Sequence, residues 1–358
     1  MRTFSCIAFT LLSACSAALA QSPEGKTAEE MYKNITALKG APGDQLLPAM
    51  QFMASALGVN CEFCHVAGKM DADDNGAKKT AREMIAMQNE INKTAFHGQR
   101  QVTCMTCHRG SARPVSVPAV LESDAAPKPS APAAAPAGAA VPTPDAIIEK
   151  YIAALGGADA LRKATTRVMT GKIITGGSEG PVEVTTKAPN KRVTVTHMGG
   201  TASYTAFDGT AGWMGSTGRQ AREMSAAESA ASSLDAEFAL GLRLKEIYPQ
   251  LRRGRPEEAN GVMCEVLNGA APGKPAVRLY FAQDSGLLVR MVRYAETPLG
   301  RNPTQLDYAD YRDAGGVKVP YRWTLSRPNG RFTIQIDEVK ANIPVDDAKF
   351  VRPSGDVK

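Results

Sequence analysis

Beyond its first 20 residues the sequence has no apolar run near the roughly 18 residues that a membrane-spanning helix needs, which excludes a bundle of such helices as the body of the protein. It also lacks a concentrated field of one charge: the formal net charge is +6, spread thinly over 42 Lys plus Arg and 36 Asp plus Glu. The one compact basic run, Arg252, Arg253 and Arg255, is followed at once by Glu257 and Glu258, the pattern of a solvated surface patch. Neither nucleic acid nor a lipid headgroup surface is therefore indicated as a partner. Histidine is scarce, with four in the whole chain, so the neighbours of each one carry information. What remains is an ordinary soluble mixture, 43% hydrophobic and 22% charged, in 358 residues, enough for two domains.

The opening MRTFSCIAFTLLSACSAALAQ has one Arg, an apolar run from Phe4 and small residues ending Ala18-Leu19-Ala20, so it reads as an export signal cleaved after Ala20. Within it Leu12-Ser13-Ala14-Cys15 has the pattern of a lipoprotein cleavage site, which would leave Cys15 lipidated and the protein membrane-associated. Either route makes the mature protein periplasmic or otherwise exported. Composition then sets the expected domains: a signal peptide at 1–20, a helical, methionine-rich segment at 21–113, a Pro/Ala-rich linker at 114–144, and a strand-patterned part at 145–358. The linker has too few large apolar groups to bury and too many prolines to coil, which predicts a semi-rigid tether with the parts on either side moving separately.

Seven cysteines become five once Cys6, and on one route Cys15, leave with the signal. Paired cysteines in an exported chain ordinarily suggest disulfides. Here the two pairs are Cys61-Glu62-Phe63-Cys64-His65 and Cys104-Met105-Thr106-Cys107-His108. A four-cysteine zinc site, thioredoxin-like redox pairs and plain disulfides all fit two Cys-x-x-Cys motifs, yet none requires His in the next position. With four histidines in the chain, the chance that both pairs are followed by one is on the order of one in ten thousand. Haem attachment does require it: two thiols add to the two vinyl groups of one porphyrin, and the adjacent imidazole reaches iron from the same side. The motifs therefore point to two c-type haems, attached through Cys61, Cys64, Cys104 and Cys107, with His65 and His108 as proximal iron ligands.

The sixth position on iron separates electron transfer from reactivity, because an open site binds peroxide or a gas whereas a methionine closes it. DQLLPAMQFMASALG reads as a helix ending near Gly58, with Leu46, Met50, Met53 and Leu57 on one stripe. KKTAREMIAMQNEINKTAF reads as another, with Thr80 as N-cap and Met84, Met87 and Ile91 on its stripe. Such stripes serve equally as core, and His97 is a further axial candidate. Asp71-Ala72-Asp73-Asp74-Asn75-Gly76 opens like a calcium loop, but its twelfth position is Arg82 where a bidentate Glu is needed, so it reads as a solvated loop.

At MQFMASALGVNCEFCHV and AREMIAMQNEIN followed by VTCMTCHRG, the chain resembles the tetrahaem cytochrome subunit of photosynthetic reaction centres, and more closely its exported non-photosynthetic relatives. The resemblance covers about residues 26–111. It implies units of a helix, a turn and a haem-binding motif, with the helix offering an axial methionine. By that carry-over Met50 serves the first haem and Met84 the second, with Met53, Met87 and His97 as alternatives. The chain departs from the family in having two haem motifs and a long C-terminal part.

That C-terminal part opens with a helical PDAIIEKYIAALGG and then alternates as strands do, in TRVMTGKIIT, PVEVTTKA, KRVTVTH, AVRLYFA, GLLVRMVRY, VKVPYRWTLS and RFTIQIDEVK, broken by GG, PNK, FDG, DSG and RPNG turns. SAAESAASSLDAEFALGLRLKEIYPQL reads as one longer helix. The expected fold class is thus multidomain: a small, mainly α multihaem domain, the linker, then an α+β domain whose curved antiparallel sheet carries a helix or two on its concave side. ALGGADAL, TAFDGTAGWMG, LYFAQDSGLLVRMVRY, DYADYRDAGGVKVPYRWTLS and ANIPVDDAKF resemble the half-barrels of periplasmic lipoprotein carriers, which implies room for an apolar ligand. Trp213, Trp323 and Cys264 read as core, and His197 as structural. Three functions follow as expectations: an electron carrier between redox partners, a peroxidase-type enzyme with one open haem, or a binder of an apolar ligand with a redox-sensing haem domain.

Overall fold

The computed structural model describes residues 25–114 and 141–352. The expected export signal with Cys15, and the expected linker apart from its two ends, lie outside the described residues.

The first part is helical: α1 (Ala28–Met31), α2 (Leu46–Leu57), α3 (Gly76–Ala95) and α4 (Cys104–His108), with 3-10 turns at Gly43–Gln45 and Cys61–Phe63. The Thr27 N–H donates to the Glu30 carboxylate at 2.6 Å and so starts α1. α2 stops at Gly58, whose φ of 68° is the left-handed closure that glycine adopts without penalty. α3 begins earlier than the sequence suggests. Its cap is Asn75, whose Oδ1 accepts from the Ala77 N–H at 2.9 Å, while Thr80 lies inside the helix with its hydroxyl directed back to the Gly76 carbonyl. Ala28, Leu38, Leu46, Ala49 and Ile85 form a small apolar cluster between these elements, flanked by half-buried Met50, Phe52 and Met53.

The second part opens with α5 (Pro144–Ala154) and α6 (Ala158–Lys163). A first antiparallel meander follows: β1 (Thr166–Thr175), β2 (Ser178–Lys187), β3 (Lys191–Met198), β4 (Thr201–Phe207), β5 (Gly212–Ser216) and β6 (Arg219–Glu223). After α7 (Ala226–Ala236) and α8 (Leu240–Ile247) come β7 (Arg252–Arg253), β8 (Glu257–Ala259), β9 (Val262–Gly269), β10 (Ala276–Ala282), β11 (Leu288–Thr297), β12 (Gly300–Asp313), β13 (Lys318–Arg327) and β14 (Gly330–Ala341). Last returns to first: β14 pairs β1 with Ala341 opposite Arg167, which fuses both meanders into one sheet of 14 strands running from β6 to β7. The sheet is curved and unclosed.

Period-two alternation sets its faces. Leu279 and Phe281 point into the main core with Ile147, Tyr151, Leu244 and Trp323, while Tyr280 joins Cys264, Val266 and Val292 on the opposite face. Cys264 is fully buried and Trp323 is core, whereas Trp213 is half-buried beside Val193 and Phe350. The single long helix expected at 225–251 divides into α7 and α8. Phe238 breaks it: its side chain is buried in the main core, and its N–H is taken by the Pro189 carbonyl at 3.0 Å, so the backbone there cannot continue the helix. Strand β12 carries Pro303 within it, and a proline removes one ladder donor. Pro303 pairs with Tyr294 of β11 but precedes the first β13 pairing at Gln305, so its missing N–H costs no bond to β13.

The β11–β12 hairpin extends past the sheet and meets the helices. Its tip residue Leu299 is fully buried in the helical cluster with Leu46, Ala49 and Ile85. Gly300 lies against the Phe52 ring, where a Cβ would stand 2.4 Å from Cζ. The Arg100 guanidinium donates to the Thr297 carbonyl and pairs with Glu296 at 3.3 Å. The two parts therefore touch through a specific apolar and polar contact, beyond what a tether alone implies.

Candidate functional site

Both Cys-x-x-Cys-His motifs sit on short turns held by neighbouring side chains. At the first, Asn60 Oδ1 accepts from the Phe63 N–H at 3.2 Å, and the His65 N–H donates to the Cys61 carbonyl at 3.0 Å, so the two thiols and the imidazole belong to one compact turn. Asn75, the α3 cap, also donates from Nδ2 to the Phe63 carbonyl at 2.9 Å and ties that turn to the helix. At the second, Asn92 is buried; its Oδ1 accepts from the Gln101 and Val102 N–H groups, both at 2.9 Å, and its Nδ2 donates to the Val102 carbonyl at 2.7 Å. One amide thereby shapes the approach to Cys104.

The two imidazoles make the same bond. His65 Nδ1 lies 2.8 Å from the Met70 carbonyl and His108 Nδ1 lies 3.0 Å from the Ser111 carbonyl. A carbonyl only accepts, so Nδ1 must carry the proton, which leaves Nε2 as the basic nitrogen on each ring. The Met70 carbonyl also accepts from Lys78 Nζ at 3.1 Å, and Lys78 in turn donates to Ala72 O at 2.8 Å. Lys78 is almost fully buried for that purpose.

All four motif cysteines are free thiols, Cys61 and Cys107 exposed, Cys64 and Cys104 half-buried. Burial pushes the Cys64 and Cys104 thiols up from their ordinary pKa. Cys104 Sγ donates to Gln88 Oε1 at 3.4 Å, and the Gln88 Nε2 is buried without a partner. Among the described residues no three His, Cys, Asp or Glu side chains gather closely enough to hold a metal ion, so the four thiols do not converge on one zinc. The motifs nevertheless adjoin. The Gly110 N–H donates to the Ala56 carbonyl at 2.7 Å, and a Cβ on Gly58 would come 2.1 Å from the Gly110 carbonyl. The end of the helix leading to the first motif thus rests on the residues that follow the second.

The axial candidates divide by environment. Met50 and Met53 are half-buried against the α2 cluster, whereas Met84 and Met87, 38% and 46% exposed, stand on the outer side of α3 with Ile85 turned inward. His97 is exposed at a φ of 52° just beyond α3. The aspartate loop is an ion-pair node: Asp73 pairs with Arg82 at 2.9 Å and Lys78 at 3.2 Å, and Arg82 donates to the Asn34 carbonyl at 3.1 Å. The Arg82 hydrogen bond above all holds the Asp73 carboxyl well below the usual range. Arg82, which occupies the position a calcium loop gives to Glu, consumes the loop's own charge. Of the basic run, Arg253 pairs with Glu265 at 2.7 Å, and the neighbouring Glu257 binds Arg278 at 2.5 Å, so both find their partners on nearby strands.

Asn75, Lys78, Gln88 and Asn92 were not among the sequence candidates. Asn before Gly at the start of a helical pattern is a legible cap signal; the other three act on groups distant in sequence and gave none.

Paired free thiols followed by an imidazole whose Nδ1 is fixed and whose Nε2 is available are the donor set of a c-type cytochrome, and these residues fit covalent haem. Residues 10–160 match the model of the photosynthetic reaction centre cytochrome C subunit family. A photosynthetic reaction center cytochrome c subunit of Thermochromatium tepidum is 31% identical over 94 residues, which are 25% of this chain and 23% of that protein. The resemblance to this family is thus shown for the haem-motif segment. Among solved structures, a DUF1329 family protein from Desulfovibrio piger aligns with 58% of this chain and 96% of its own at 13% identity and a TM-score of 0.41. A LolA superfamily protein from Nitrosomonas europaea aligns with 59% and 98% at 14% identity and a TM-score of 0.40.

Proposed function

We propose that residues 21–113 form a diheme c-type cytochrome domain of an exported protein that carries electrons between protein partners. The observation that carries this reading is the repeated bond from the motif imidazole Nδ1 to a backbone carbonyl, at 2.8 Å and 3.0 Å. That bond sets the tautomer, holds the ring plane and makes Nε2 a stronger donor, as second-shell partners of ligating histidines do. Cys61 and Cys64 would hold one haem, with His65 as proximal ligand, and Cys104 and Cys107 the other, with His108. Each haem, when bound, supplies a one-electron iron couple whose potential follows its axial ligands and burial.

Met50 and Met84 are the proposed distal ligands. Met50 is already ordered by packing on α2, while the exposure of Met84 gives its thioether freedom to turn toward a partner. Gly58 and Gly110 keep the motifs together: each glycine is three residues from a motif cysteine, Cys61 or Cys107, and each intervening step spans about 3.8 Å. The backbones of those two cysteines therefore stay within roughly 30 Å, and the two sites cannot drift apart.

The test is an absorption spectrum of the purified protein in both redox states, with haem counted against protein. Two haems per chain and low-spin ferric iron at both are expected. A high-spin ferric signal, or cyanide or peroxide binding by the resting protein, would overturn the carrier reading in favour of the peroxidase-type enzyme.

A further inference from the structure

The concave side of the sheet is not filled by its helices. A cavity of about 1790 Å³ runs along it, well above the roughly 300–1,000 Å³ of ordinary small-molecule pockets, and so has the room that an elongated ligand needs. Its floor is apolar, with Met169, Ile173, Leu306 and Leu325 among its walls. Six arginines also line it; Arg222, Arg293 and Arg301 are ion-paired, whereas Arg167, Arg192 and Arg327 are in no ion pair among the described residues. Arg167 and Arg192 lie deep in the fold, where burial lowers both guanidinium pKa values, that of Arg167 to about 10. Both still keep accessible surface, and both line the cavity.

Neither guanidinium is within ion-pair distance of a carboxylate among the described residues, and the Asp235 carboxylate acts on Arg192 only from further off. Arg167 lies 4.0 Å over the Phe238 ring and donates to the Phe238 carbonyl at 3.4 Å. Arg192 lies 5.7 Å from the Trp323 ring and donates to the Asp235 carbonyl at 3.4 Å. The nearby acids are committed elsewhere: the Asp235 carboxylate pairs with buried Arg293, and Glu228 pairs with Arg222 at 2.7 Å. Burial pushes the Glu237 carboxyl up, toward its neutral form. A guanidinium taken out of water without a counter-charge is costly, and a bound anion removes that cost. The apolar floor and these two guanidiniums without an ion pair therefore ask for one molecule with both characters.

We propose that the cavity binds a single-chain anionic amphiphile, its carboxylate or phosphate head on Arg167 and Arg192 and its chain along Met169, Ile173, Leu306 and Leu325. The helical part completes the site, because Met31, Leu47 and Pro48 line the same cavity. Leu47 and Met31, 61% and 48% exposed, are apolar surface that such a chain would cover.

The experiment is calorimetric titration of the haem-loaded, full-length protein with dodecanoate, dodecyl phosphate, dodecanol and dodecyltrimethylammonium, each below its micelle concentration. One or both anions should bind at least about tenfold tighter than the neutral and cationic chains, the worth of a charge-assisted hydrogen bond. Binding of one anion alone identifies the head as carboxylate or phosphate. Arg167→Gln and Arg192→Gln should each weaken anion binding by roughly tenfold and leave dodecanol unchanged. The head-group series on the unaltered protein stands even where a variant misfolds. Anions binding no tighter than dodecanol, or no chain binding at all, overturns the proposal.

Discussion

Met50, proposed above as a ligand of the first haem, has its rival Met53 one helical turn away in α2. Met50 and Met53 share the same cluster, so burial does not rank them; the ranking comes from the family spacing, which favours Met50. Met50→Ala is expected to abolish the weak far-red band of ferric methionine ligation at the first haem and lower its potential, while Met53→Ala retains the band. If Met50→Ala leaves the first haem low-spin at an unchanged potential, the assignment fails. Asp73 carries a pH signature. Its folded-state pKa is lowered by Arg82 and Lys78, so its contribution is full above the unfolded value of about 3.9 and is lost as pH falls from there through the folded value. Thermal unfolding followed from neutral to acid pH should show Asp73→Asn less stable at neutral pH and level with the parent at the acid end. The Cys-x-x-Cys-His motifs stand out in the sequence because their residues are contiguous, and the first of them lies on one compact turn. Lys78 and Asn92 do not stand out, because they act on backbone carbonyls and amides 6 to 10 residues away, to which no residue type is bound.

Among elements, α2 was read from its stripe and its terminal glycine, and Gly58 does more than end it. At a φ of 68°, with the Gly110 carbonyl 2.1 Å from where a Cβ would stand, Gly58→Ala meets both a left-handed backbone penalty and a backbone clash. A loss of at least about 2 kcal/mol is expected, read as a lowered melting temperature of the haem-loaded protein. An unchanged melting temperature would show that the two motifs do not rest on one another. Alternation and turn residues revealed most strands of the sheet. The break between α7 and α8 stayed hidden because Ala, Leu and Glu favour helix on both sides of Phe238; burial of that ring and the Pro189 carbonyl overrode propensity.

For the whole molecule, the linker composition suggested two independent bodies, and nothing in the sequence around Leu299 signals a contact some 250 residues away. That contact has a measurable strength. Leu299→Ala should destabilise the protein by about 2–5 kcal/mol, the range for a fully buried leucine. After cleavage at a protease site inserted between residues 120 and 135, the two parts should co-elute in gel filtration, and Leu299→Asp should separate them. Free elution of the unaltered halves would argue that the hairpin contact does not hold them. The curved sheet was foreseeable from its strands, but the cavity was not, because Arg167 and Arg192 look like ordinary outward residues of β1 and β3 until the curvature turns that face inward. Helix α2 belongs to both halves of this arrangement, with Leu47 and Gln51 on the cavity and Met50 and Met53 on the opposite cluster. An occupant that shifts α2 would thereby pull on the proposed iron ligand Met50, and reciprocity would then require the oxidation state of that iron to alter the grip on the occupant by the same factor. Saturating the protein with dodecanoate is accordingly expected to move the first haem's midpoint potential, by about 59 mV for each tenfold difference in affinity between oxidised and reduced protein. On this geometry the sheet domain would act as a chemical gauge, setting how readily the cytochrome gives up its electron by what lies in its hollow.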